Sequence, residues 1–198
     1  MTYRGYPLQK ILEQAEPSEA FDLVLLRGSD GYTFFISKSQ LKDNAHLLLT
    51  VQGEGAGQVY NMVGPESKKA WVSGVAEIIL VESRPLPISG PSGREAQFQP
   101  GDWVDEMDST TLDVGNGPGK YQGVPFSLVL EEVFPQAAYQ EIILNGPDGE
   151  QARLSREEVQ SDHGLRIFLI LEGQGPGYAA AHLSGEITLA ELEGIQLR

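Results

Sequence analysis

Tyr121-Gln122-Gly123-Val124-Pro125-Phe126-Ser127-Leu128-Val129-Leu130 echoes the opening of the chain, Tyr3-Arg4-Gly5-Tyr6-Pro7-Leu8-Gln9-Lys10-Ile11-Leu12. The two stretches stand 118 positions apart (121 − 3). At that offset identical residues fall at Tyr3, Gly5, Pro7, Leu12, Glu13, Pro17, Ala20, Leu26, Gly28, Asp30, Gly31 and Ser37. Turn, cap, helix and strand residues recur in one order, the mark of an internal repeat. After the helical turn at Lys38–Leu41 the reading moves to an offset of 120, which sets Gly53, Gly55 and Gly57 against Gly173, Gly175 and Gly177 and implies a two-residue insertion. The chain is read as two related units, 1–84 and 85–198. The second carries a lead-in over 94–114. The asymmetry leaves two readings, that the intervening segment serves both copies or that a lead-in to the first unit lies outside this sequence, and the second is the leading expectation.

Within each unit the local signals agree. Pro7–Ala15 reads as a short helix, with Pro7 tolerated at its start and Leu8, Ile11, Leu12 and Ala15 on one face. Phe21–Leu26 and Tyr32–Ile36 read as strands joined by the turn Ser29-Asp30-Gly31, a β-hairpin. Ser37 is placed to cap a helical turn. Leu47–Val51 is a third strand, followed by a glycine-rich loop, and Val75–Val81 closes the unit. Glu82–Arg94, rich in proline and glycine, reads as the boundary. The second copy repeats the set: helix Pro125–Val133, strand Tyr139–Leu144, turn Gly146–Gly149, return strand Gln151–Leu154, Ser155 cap, strand Ile167–Leu171. Trp71 and Trp103 are expected to anchor the two cores.

The chain has 198 residues and a net charge of −14, which opposes phosphate backbones and argues against nucleic acid as a partner. It has no cysteine, which excludes disulfides, thiolate metal sites, iron–sulfur clusters and a cysteine nucleophile. No apolar run approaches the roughly 20 residues of a membrane-spanning helix. Compartment stays open between a cytoplasmic protein and an exported one whose signal peptide has been removed.

The candidate ligand or partner contacts are Asp30, Tyr32, Gly53, Gly55, Gly173 and Gly175. Tyr32 offers a hydroxyl beside the Asp30 turn. The simpler reading is a hairpin with a strand aromatic on the core, since Asp148-Gly149 repeats the turn without the tyrosine. The glycine loops offer backbone N–H groups to a phosphate. They lack a following helix N-terminus or a nearby cation, and connecting loops explain them better. The acidic run Asp102, Asp105, Glu106, Asp108 and Asp113 lacks the spacing of a calcium loop and reads as a solvated face. His46, His163 and His182 form no metal-binding or triad pattern.

The string Tyr-x-Gly-x-Pro-Leu-x-x-Ile-Leu, followed by an apolar strand, Ser29-Asp30-Gly31-Tyr32 and Ile36–Leu41, resembles the molybdopterin-binding domain of the sulfite-oxidase-type oxidoreductases. Gly64-Pro65, Lys68, Lys69, Trp71 and Ile78–Leu80 have counterparts in that pattern, and Pro87–Gly90 through Gln99–Asp102 resemble its lead-in. The resemblance implies an α+β fold of short mixed strands and small helices, the C-terminal half of that domain present twice. The family's cysteine ligand to molybdenum has no counterpart, and Glu66-Ser67 stand where it tends to place an arginine. The implied member lacks the catalytic site, so no catalytic residue, metal or cofactor is assigned. The leading expectation is a non-catalytic binding or assembly module with a protein or small-molecule partner. The alternatives are a small-ligand domain with a cleft between the copies and an accessory domain of a redox complex.

Overall fold

A computed structural model describes residues 4–15, 20–43, 47–54, 58–64, 71–114, 118–135, 138–171 and 176–198. The protein is α+β and strand-rich, with 48% strand against 24% helix, so sheets rather than helices carry its cores. It divides into two compact units, Met1–Glu82 and Ser83–Arg198.

The first unit opens with a two-residue strand β1 (Tyr6–Pro7) that turns directly into helix α1 (Leu8–Gln14). Pro7 suits this corner because its φ of −56° is already helical while its missing N–H costs no helical bond. Leu8 and Leu12, one turn apart, face the core. Strands β2 (Leu23–Gly28) and β3 (Thr33–Ser37) form the expected hairpin, with Gly31 at φ 80° in its turn. Helix α2 (Lys38–Asp43) follows. Its start is a reciprocal box: the Gln40 N–H donates to the Ser37 hydroxyl (3.1 Å) and the Ser37 N–H to the Gln40 side chain (3.2 Å). Strands β4 (Leu48–Gln52), β5 (Val59–Val63) and β6 (Val75–Val81) complete the unit. They build two three-stranded sheets, β1-β4-β5 and β3-β2-β6. Leu8, Val24, Leu26, Ile36, Leu41, Met62 and Val72 form the core.

The second unit begins with β7 (Leu86–Ser89) and β8 (Glu95–Phe98), a hairpin closed at Pro91–Gly93. The proline-rich stretch expected as a boundary therefore contributes a strand. Its prolines obscured an alternation in which Leu86 and Ile88 are buried and Pro87 points out. A 3-10 turn at Pro100–Glu106 leads to β9 (Asp108–Asp113) and β10 (Pro118–Pro125). Helix α3 (Phe126–Val133), the hairpin β11 (Glu141–Asn145) and β12 (Gln151–Ser155), and helix α4 (Arg156–Ser161) come next. Strands β13 (Leu165–Ile170), β14 (Gly177–His182), β15 (Ile187–Leu189) and β16 (Gly194–Leu197) end the chain. The two sheets are five-stranded, β15-β14-β13-β10-β9 and β12-β11-β16-β7-β8.

The pairing registers of the two units correspond. Tyr6 faces Leu49 and Val124 faces Ile167, each 118 apart. Leu49 faces Met62 and Ile167 faces Ala180, again 118 apart. Leu23 faces Ser37 and Glu141 faces Ser155, at the same offset. The expected shift to 120 is not followed by the strands. Gln52 faces Val59 and Ile170 faces Gly177, so both intervening loops have equal length and Gly53 corresponds to Leu171. The glycine spacing misled because Gly-x-Gly matches itself at a two-residue slip. A change of one residue enters later: Val24 faces Leu80 while Ile142 faces Leu197, an offset of 117 for the last strand.

The repeated glycine of the opening motif has a steric reason. A Cβ on Gly5 would lie 2.6 Å from the Leu49 carbonyl oxygen, and one on Gly123 would lie 2.6 Å from the Phe168 ring. Each glycine admits close approach of the neighbouring strand.

Candidate docking face on the first unit

Asp30 and Tyr32 are brought together, but as a turn. The Asp30 carboxylate accepts the Tyr32 N–H at 2.9 Å, and the Tyr32 ring packs against the core of the first unit. Burial, and then the Asp30 charge, push the Tyr32 hydroxyl above its usual pKa. Gly53 is exposed in the bend after β4. Gly55, Gly173 and Gly175 lie outside the described residues, as do His46, Glu66, Ser67, Lys68 and Lys69.

Trp71 corrects its expectation as a core anchor: 44% of it is exposed, and its indole N–H donates to the Gly64 carbonyl at 2.7 Å. The neighbouring Val72 takes the buried place, bridging to Met62. Trp103 lies half-buried beside Phe98, with ring centroids 6.2 Å apart.

Around β13 unit 2 holds one ion pair and one histidine–carboxylate contact. The Arg166 guanidinium, almost wholly buried, donates to Asp108 at 3.2 Å and to the His163 carbonyl at 2.5 Å. His182 lies 2.7 Å from Asp162, whose other oxygen accepts the Gly164 N–H. Both carboxylates are thus committed to fixing loop and strand ends, and no nucleophile is aligned with His182 in the described hydrogen bonds. Among the described residues no three metal-ligating side chains gather. A shallow depression beside α4 is lined by Tyr139, Ser155, Arg156 and Gln160. Its cation is already stacked, with the Arg156 guanidinium 4.9 Å from the Tyr139 ring centroid. Burial raises the Tyr139 hydroxyl pKa, and Arg156 pulls it the other way.

The apolar surface is distributed unevenly. Among the described residues the exposed large apolar side chains are Tyr6, Val51, Val59, Tyr60, Trp71 and Leu183, and all but Leu183 belong to the first unit. Strand alternation places Tyr6, Leu49, Val51, Tyr60 and Met62 on one face of the β1-β4-β5 sheet. Leu49 and Met62 enter the core, while Tyr6, Val51 and Tyr60 carry the same row into solvent. Asn61 fixes the strand that presents Tyr60, its side chain accepting from the Gly74 N–H at 3.0 Å and the Ser73 hydroxyl at 3.2 Å.

In the second unit the same positions are closed. Val124, Leu169 and Tyr178, each 118 residues on from Tyr6, Val51 and Tyr60, are at most 6% exposed. Tyr178 meets Phe98 edge-on at 5.8 Å between centroids, and its hydroxyl donates to the Arg84 carbonyl. The strands expected from sequence do not include Val59–Val63, and so they do not include Tyr60. The signal was its equivalence to Tyr178. No helix among the described residues is long and apolar enough to cross a membrane. No family model matches the chain, and no curated protein matches it in sequence.

Proposed function

We propose that this chain is a non-catalytic binding or assembly module, built from two copies of one unit on a scaffold like the molybdopterin-binding domain of sulfite oxidases. The observation that carries the reading is the exposed row Tyr6, Val51 and Tyr60, whose counterparts in the second unit are buried. Contiguous apolar surface of this kind marks an interaction site. The matching registers support the duplication. The chain has no cysteine sulfur to hold molybdenum, so its residues do not fit that cofactor and no chemistry is routed through it.

The reading is tested by replacing Tyr60 with a photo-crosslinking residue in the full chain, expressed in its own host. A discrete adduct that disappears with Val51→Asp, and is absent when the probe stands at Gln160 instead, is the expected result. No adduct, or equal adducts at both positions, overturns it.

A further inference from the structure

We infer that the open edge of β6 takes an extended segment of a second polypeptide as a parallel strand, with an aromatic side chain of that segment laid on Tyr60. The inference rests on the docking reading above and specifies its partner.

The second unit supplies the precedent. β16 corresponds to β6 at an offset of 117, and on its far side it pairs in parallel with β7, Ile195 facing Ile88 and Gln196 facing Ser89. The same offset places the first unit's receiving positions at Ile78 and Ile79 (195 − 117 and 196 − 117). The chain then turns at Pro91–Gly93 and returns as β8, which delivers Phe98 onto Tyr178. One hairpin thus extends one sheet and caps the tyrosine of the other.

Among the described residues of the first unit both receivers are present, and no hairpin is paired with them. Among the described residues β6 has one strand partner, β2. Edge strands are ordinarily blunted by lysine, proline or inward charge. The run Val75-Ala76-Glu77-Ile78-Ile79-Leu80-Val81 has a single charge, and Glu77 is occupied by Arg27 at 3.0 Å. An apolar edge so little protected is suited to main-chain pairing with an added strand.

The occupant's chemistry follows from β7 and β8. It is an apolar-x-apolar strand, like Leu86-Pro87-Ile88, then a tight glycine-containing turn, then a return strand ending in an aromatic residue. A second copy is a poor source. Its own hairpin is already paired within its second unit, and two chains of charge −14 repel one another.

The test uses the full chain and a synthetic peptide of sequence Ser83–Trp103, labelled for anisotropy, with hydrogen exchange read on the protein. Saturable binding is expected, with slowed exchange in β6. Tyr60→Ser in the protein or Phe98→Ala in the peptide should each weaken binding about tenfold, the scale of one aromatic contact. Leu183→Asp should leave it unchanged. Absence of saturable binding, indifference to both aromatic changes, unprotected β6 amides, or β6 amides already protected before peptide is added each overturn the inference. A Tyr60 adduct in the host without peptide binding leaves the docking reading standing and removes the strand. Peptide binding without a host adduct removes the docking reading and leaves the edge's capacity.

Discussion

Tyr60 and Tyr178 occupy the same register position of corresponding strands, 118 residues apart, and have opposite surroundings: the first is 42% exposed and the second 6%. The difference comes from Arg84 and Phe98, which cover Tyr178. A single tyrosine position is thus a core residue in one unit and a surface residue in the other.

Phe98→Ala removes a fully buried ring and should destabilise the second unit by about 3–5 kcal/mol. Tyr60→Ala removes an exposed one and should change stability by no more than about 0.5 kcal/mol. Urea titrations followed by circular dichroism check both. Equal effects would refute the assignment of Phe98 as the cap.

Substitution of the paired glycines should separate two kinds of crowding. The Cβ of Gly5→Ala would press on the Leu49 backbone, which has no freedom to turn away, whereas that of Gly123→Ala would press on the Phe168 side chain. Both changes should destabilise by about 1–3 kcal/mol, the scale of overpacking, with Gly123→Ala partly rescued by Phe168→Leu and Gly5→Ala not rescued by Thr50→Ala. Thermal unfolding of the single and double variants decides it.

The two helix boxes should respond differently to acid. The Ser155 N–H and the Ser155 hydroxyl hold the Glu158 carboxylate below its ordinary pKa. A carboxylate depressed on folding stabilises fully above its unfolded pKa, and that contribution fades as pH falls through the folded value. The stability gap between the parent and Glu158→Gln should therefore be present at neutral pH and shrink in acid. The corresponding Gln40 carries no charge, and Ser37→Ala should cost roughly 1 kcal/mol regardless of pH. Urea midpoints across an acid series test the pair.

Asp108→Asn should cost about 1 kcal/mol, because Arg166 is buried and keeps its bonds to the His163 and Leu165 carbonyls while losing its counter-charge. Asp108 is itself half-exposed, so added salt should narrow the difference. A loss that salt leaves unchanged would show that packing, not charge, holds the pair.

The helices and hairpins were legible because their signals are local. Leu8 and Leu12 mark a helix face, Asp30-Gly31 and Asp148-Gly149 mark tight turns, and Ser37 and Ser155 mark helix starts. Strands β5, β7 and β14 were not, because pairing rather than propensity decides them. Tyr178-Ala179-Ala180-Ala181 has little intrinsic strand preference and is held by β13. Pro87 suggests a linker, yet Leu86 and Ile88 on either side are core residues. The exposed row Tyr6, Val51 and Tyr60 is hidden for a related reason. Tyr60 is unremarkable in sequence, and its meaning depends on what covers Tyr178 many residues away. Of the six contacts expected from sequence, Asp30 and Tyr32 serve their own turn, Gly53 is exposed after β4, and Gly55, Gly173 and Gly175 lie outside the described residues.

The unequal sheets among the described residues, of three strands in one unit and five in the other, also bear on cooperativity. Fewer neighbours leave the first unit to melt at a lower temperature, so calorimetry should resolve two transitions, with the earlier one assigned to Met1–Glu82 by its exchange rates. A segment bound only to the folded form of that unit would act as a thermodynamic ligand, adding about 2.7 kcal/mol at a hundredfold excess over its Kd. The two transitions would then converge, and the separation between them would report how fully the edge is occupied.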